Sequence, residues 1–325
     1  MAAPVLPTLY TLSVALTGSL AVCGGALAYL RRVRLERPAI GTFNRRDIVV
    51  VFGFIVVLPV LYLHLPRWLV LALLIVTFTA ALSIGFRPLL TPTRLWLTVG
   101  LLIGANLWIG RTMLGTVSGW QLSWAETDLI IVLTAIAVTN LYVQGGMRLR
   151  HVAWFALLLA VYDFFFILIV PLTNQLLEGF LGYPLNPSFG MRYGLYNATI
   201  GIGDLLVYGL FTIAAYKAYG RKAARLALGL VVVFGAFVPS FAPLVFELTD
   251  ARTDIVVPAQ VAFGPIAFLA YLWLKRRYGR ERTMQEFLAS SDVIGEIPAV
   301  VAAPAEVRDP QPAPAGTTVR VTPPG

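Results

Sequence analysis

The chain has 325 residues, of which 58% are hydrophobic and 13% charged, with a formal net charge of +9 and a mean hydropathy of +0.79. So apolar a composition excludes an ordinary soluble domain and points to an integral membrane protein. The positive charge does not point to nucleic acid, because Lys and Arg sit in short clusters between apolar runs, where they set orientation in a bilayer.

Nine apolar runs, each roughly long enough to cross a bilayer, follow one another at about 6–30, 48–65, 67–86, 95–114, 127–144, 152–171, 198–216, 226–247 and 255–274. Each reads as a helix, because a segment in lipid must satisfy its backbone amides within itself unless a barrel closes. The alternation that barrel strands need is absent. The fold class that follows is all-α: a polytopic membrane protein of nine transmembrane helices with a disordered C-terminal tail. The first run reads as a retained span, since "MAAPVLPTLY" lacks the basic stretch of a secretory signal. It holds Cys23, the one cysteine, so no intrachain disulfide can form.

His64 and His151 fall beside span ends and form no H-E-x-x-H pair, so no metal site is implied. Between spans six and seven lies a long connection with Pro and Gly, whose end, "FGMRYGLY" (189–196), alternates loosely and suits a strand. Past the ninth span, residues 296–325 are rich in Pro and Ala and cannot bury a core. The domain organisation expected is a five-helix membrane scaffold over 1–150, a four-helix region holding spans six to nine over 151–282, and a flexible Pro/Ala-rich tail over 283–325.

The connections after the odd-numbered spans carry 19 of the 25 Lys and Arg residues, those after the even-numbered spans carry 4, and Arg308 and Arg320 lie in the tail. The positive-inside rule then places the N-terminus outside a cell membrane and the C-terminus in the cytoplasm.

Two acids interrupt this oily pattern: Asp163 in "AVYDFFFILIV" and Asp204 in "IGIGDLLVYGLF", with no Lys or Arg in either stretch. An ionisable residue within a span costs roughly 2.5 to 3.5 kcal/mol on the insertion scale, so its presence calls for a function. Counted from the span ends, the two lie at similar depth, about 12 and 9 Å below one surface at 1.5 Å per residue. Two carboxylates in contact within a low dielectric hold one proton between them. Such a pair can hydrolyse a peptide: the ionised acid takes a proton from a water, and the protonated one supports the developing oxyanion.

Gly201 and Gly203 precede Asp204 and leave room for a close approach. "VYD" in span six and "GIGDLLVYG" in span seven resemble the Y-D and G-x-G-D motifs of the presenilin and signal peptide peptidase aspartyl intramembrane proteases, including archaeal presenilin-like members. "VPAQVAFGP" in span nine is similar to their P-A-L element. The resemblance covers roughly residues 150 to 275, by motif order and spacing.

It implies an aspartic endopeptidase that cleaves within transmembrane segments, with Asp163 and Asp204 as the catalytic pair. Tyr162 would neighbour the site, Gly201 and Gly203 would shape it, and Pro258, Ala259 and Gln260 would help receive substrate. Gln260 departs from the family's Leu. Its partners would be transmembrane protein or peptide substrates and the lipid bilayer. With the orientation above, these would be signal-peptide-like or type II spans. Water is the one co-reactant, so no cofactor is implied. In that family an unwound substrate adds a strand next to the start of span seven, and "FGMRYGLY" would supply the edge it pairs with here. The competing reading is a proton-coupled transporter or channel in which the two acids carry protons.

Overall fold

The computed structural model describes residues 5–35, 45–168, 183–193, 196–248 and 258–294. Their elements run α1 (Val5–Arg32), α2 (Arg45–His64), α3 (Arg67–Phe86), α4 (Pro92–Thr112), α5 (Val117–Gln144) and α6 (Leu149–Leu168). A hairpin of β1 (Ser188–Tyr193) and β2 (Tyr196–Gly201) follows, then α7 (Ile202–Tyr219), α8 (Arg221–Leu230), a π-helical segment (Val231–Phe237), α9 (Val238–Leu248), α10 (Ala259–Tyr278) and α11 (Met284–Leu288). The chain is mostly helical, and among the described residues five stretches are long and apolar enough to cross a membrane: Val5–Arg32, Arg67–Phe86, Pro92–Thr112, Val117–Gln144 and Arg221–Val245.

Among the described residues helix runs through each apolar stretch of the sequence, but three boundaries differ from expectation. The run expected to open span seven at 198 is extended as far as Gly201, because residues 196–201 pair antiparallel with β1, Ser188 opposite Gly201 and Tyr193 opposite Tyr196. The fold is therefore not purely helical. Helix α5 begins ten residues earlier than the expected 127, at Val117, where the Thr116 hydroxyl accepts from the Gly119 N–H and caps it.

Residues 283–294, expected in the flexible tail, are folded. Thr283 and Glu286 form a capping box on α11, Phe287 and Leu288 are buried, and the Thr283 backbone N–H holds the Glu286 carboxyl below its ordinary range. The rest of the expected tail, 295–325, lies outside the described residues. Lys217, counted above among the connection charges, is instead buried in α7, with its ammonium donating to the carbonyls of Val143 (3.1 Å) and Met147 (2.5 Å).

α7 is the central helix. It packs on α1, α5, α6 and α10, and nearly every side chain from Leu205 to Ala218 is buried. A helix covered on all sides has no reason to be amphipathic, which is why its sequence is apolar all round. Tyr208 and Phe211 set their rings edge-on to Phe263 of α10, 4.9 and 5.6 Å between centroids.

α6 and α10 form the most extensive helix pair. Gly264 makes it possible, since a Cβ there would stand 2.7 Å from the Cβ of Ala160 and collide with the Ala156 carbonyl. Where lipid supplies no hydrophobic drive between helices, such close approach and buried polar pairs hold them together. Asn106 of α4 donates to Thr127 of α5 at 2.9 Å and accepts from the Leu185 N–H at 2.7 Å, while Asn140 of α5 donates to the Ala26 carbonyl of α1 at 3.2 Å.

At the far end of α6 the Glu281 carboxylate accepts from the Leu149 and Arg150 N–H groups. It thereby satisfies helix-start donors that would otherwise be orphaned.

Candidate active site

Gly201 ends β2 in extended conformation (φ −63°, ψ 142°) and serves as N-cap of α7, which puts Asp204 in that helix's first turn. A carboxylate at this position is favoured by the free N–H groups and the positive end of the helix dipole. Asp163 lies near the described end of α6, the helix beside α7. The two carboxylates are within Coulombic range of each other. Both are half-buried, and neither makes an ion pair among the described residues.

α10 supplies the third side. Pro258 is its extended N-cap (φ −67°, ψ 138°), Ala259 its first residue, and Gln260 is 2% exposed. The Gln260 amide interacts with the Asp204 carboxylate, yet neither Nε2 nor Oε1 makes a hydrogen bond of normal geometry among the described residues. Leaving such an amide buried and unpaired costs about 1–3 kcal/mol.

The other residues singled out by sequence are placed less uniformly. Tyr162 is half-buried and sets its ring edge-on to Phe52 of α2, 6.4 Å between centroids, so it ties the site to that helix. Gly201 and Gly203 are exposed. A Cβ on Gly201 would meet Asp204 Oδ2 at 3.7 Å, an ordinary contact, and one on Gly203 would meet nothing within 4 Å. Packing against a neighbouring helix therefore does not require glycine at either place.

Sequence alone did not mark three further residues. Tyr208, one turn after Asp204 and on the same face of α7, is fully buried and feels the charge of both acids. Its hydroxyl donates to the Gly235 carbonyl at 3.0 Å, within the π-helical segment. Gly235 is required there, because a Cβ would lie 2.7 Å from Tyr208 Cζ. The D-x-x-x-Y spacing was visible in sequence, its partner was not.

The other two are acids of α5. Asp128 accepts from the Gly190 N–H at 2.8 Å and so anchors β1, and Glu126 has both carboxylate oxygens buried beside Asn106, neither in a hydrogen bond of normal geometry among the described residues. Starting span five at 127 had left Glu126 outside it and Asp128 at its very edge.

Among the described residues no three His, Cys, Asp or Glu side chains gather closely enough to hold a metal ion. Cys23 is buried and accepts from the Thr212 hydroxyl at 3.4 Å, and His151 is buried at the start of α6. Comparison with family models and with curated proteins gives no match.

Proposed function

We propose that the protein is an intramembrane aspartyl endopeptidase whose nine helical runs cross the bilayer and whose Asp163 and Asp204 activate one water between them. The observation that carries this reading is that two carboxylates on neighbouring helices lie within Coulombic range of each other, with no ion pair to either among the described residues. The motif resemblance to presenilins and signal peptide peptidases supports it independently of the geometry.

The chemistry follows from a pair that holds one proton. The ionised carboxylate removes a proton from the water, whose oxygen attacks the scissile carbonyl carbon. The protonated acid donates to the oxyanion as the tetrahedral intermediate forms. A proton then passes to the amide nitrogen, the C–N bond breaks, and a carboxylic acid and an amine leave.

A substrate span presents its carbonyls already hydrogen-bonded, so it must unwind locally before attack. The β1–β2 hairpin, ending where α7 begins, offers a strand edge on which unwound chain can pair. The Gln260 amide beside Asp204 would bond the same unwound backbone.

The test is purified full-length protein in detergent with a labelled transmembrane peptide, with and without a transition-state-mimicking aspartyl protease inhibitor. Cleavage that the inhibitor stops is the expected result. Absence of cleavage, together with proton flux in vesicles that the inhibitor leaves untouched, would replace this reading with the transporter.

A further inference from the structure

At one end of the bundle the last turn of α1 meets the first turn of α8 around a cavity of about 450 Å³, walled by Leu27, Arg31, Tyr216, Arg221, Ala224 and Arg225. Both helices belong to stretches long and apolar enough to cross a membrane, Val5–Arg32 and Arg221–Val245. The cavity therefore lies where hydrocarbon gives way to water, whichever way the protein is oriented. Its chemistry divides in the same way: Leu27 and Ala224 supply apolar wall, and three guanidinium groups from two helices supply the charge.

Among the described residues that charge is only partly neutralised. Asp292 is the acid at the site, and its Oδ2 is already held by Arg282 at 3.0 Å, leaving Oδ1 3.6 Å from Arg221 Nε. Arg31 Nε reaches the Asp292 backbone carbonyl at 3.4 Å, and the Tyr216 hydroxyl donates to the same carbonyl at 2.9 Å. Arg225 is exposed and makes no hydrogen bond or ion pair with a described residue. α8 adds to the imbalance, since it starts at Gly220 without a side-chain cap and without an acid in its first turn.

Basic residues at a membrane boundary are commonplace, and bulk charge alone would need no cavity. Here three arginines from two helices line one open groove together with apolar wall. A guanidinium fork matches phosphate oxygens, whereas the apolar walls match an acyl or glyceryl group.

We propose that this cavity binds the headgroup of an anionic phospholipid, with Arg31, Arg221 and Arg225 on the phosphate and the chains leaving along α1 and α8. This site is independent of the protease reading and joins α1, α7, α8 and the segment at Asp292 through one ligand.

The test is native mass spectrometry of the full-length protein in detergent, titrated separately with phosphatidylglycerol, phosphatidylcholine and inorganic phosphate. The wild type is expected to retain phosphatidylglycerol about tenfold more tightly than phosphatidylcholine, and Arg225→Gln to lose about tenfold, as removal of one charge-assisted contact predicts. Lys222→Gln, on the same helix but outside the cavity, is the control and should bind as the wild type does. Equal losses in Arg225→Gln and Lys222→Gln would show bulk charge alone and overturn the site. Phosphatidylcholine retained as tightly as phosphatidylglycerol, or inorganic phosphate displacing the lipid at equal concentration, would overturn it too.

Discussion

Gln260 is buried to 2% exposure with both amide atoms short of a hydrogen bond among the described residues, beside the acid that needs orienting. A structural role would have been filled more cheaply by a hydrocarbon side chain of the same size. Gln260→Leu is therefore predicted to raise stability by about 1–3 kcal/mol, because it removes an unpaired polar group. In the same variant peptide cleavage should slow. Thermal unfolding in detergent and the cleavage assay read the two effects separately, and a variant both less stable and fully active would contradict this assignment.

The acids themselves predict a pH dependence whose sign follows from their shared proton. At low pH both carboxylates are protonated and no base remains; at high pH neither is and no acid remains. The cleavage rate should pass through a maximum, and a rate that climbs to a plateau without falling would argue against a two-carboxylate mechanism.

The α6–α10 pair sets the distance between Asp163 and Gln260, and it closes on Gly264. Gly264→Leu forces a side chain against the Ala156 carbonyl and is predicted to cost about 1–3 kcal/mol or more through overpacking. An unfolding temperature equal to that of the wild type would show that the two helices are not closely packed there. Much of this layer was legible beforehand, since long apolar runs in lipid leave little choice but helix, and two acids within such runs are costly enough to mark themselves.

What stayed hidden has identifiable causes. "YNATIG" is apolar and β-branched, and over so short a stretch nothing in its pattern separates a strand from the start of a helix. α11 has five residues, held by the Thr283–Glu286 capping box and the burial of Phe287 and Leu288 rather than by composition. The Tyr208 hydroxyl depends on a carbonyl in the π-helical segment, which has no signature in sequence.

At the scale of the whole molecule, nine crossings would leave the basic residues unevenly divided between the two sides of the bilayer, even with Lys217 withdrawn into the core. A reporter fused after Arg282 is predicted to lie in the cytoplasm, and one found outside the cell would reverse the proposed orientation and with it the preference for signal-peptide-like spans. The central claim is that Asp163 and Asp204 act as one unit on one water. Groups that work as a unit lose activity non-additively, because removing either leaves nothing for the other to assist. The decisive measurement is single-turnover cleavage of a transmembrane peptide by Asp163→Ala, Asp204→Ala and the double variant, each with a wild-type unfolding temperature. All three are predicted to fall to the same residual rate. Either single variant cleaving at the wild-type rate, or a double variant whose loss is the product of the two, would contradict the account.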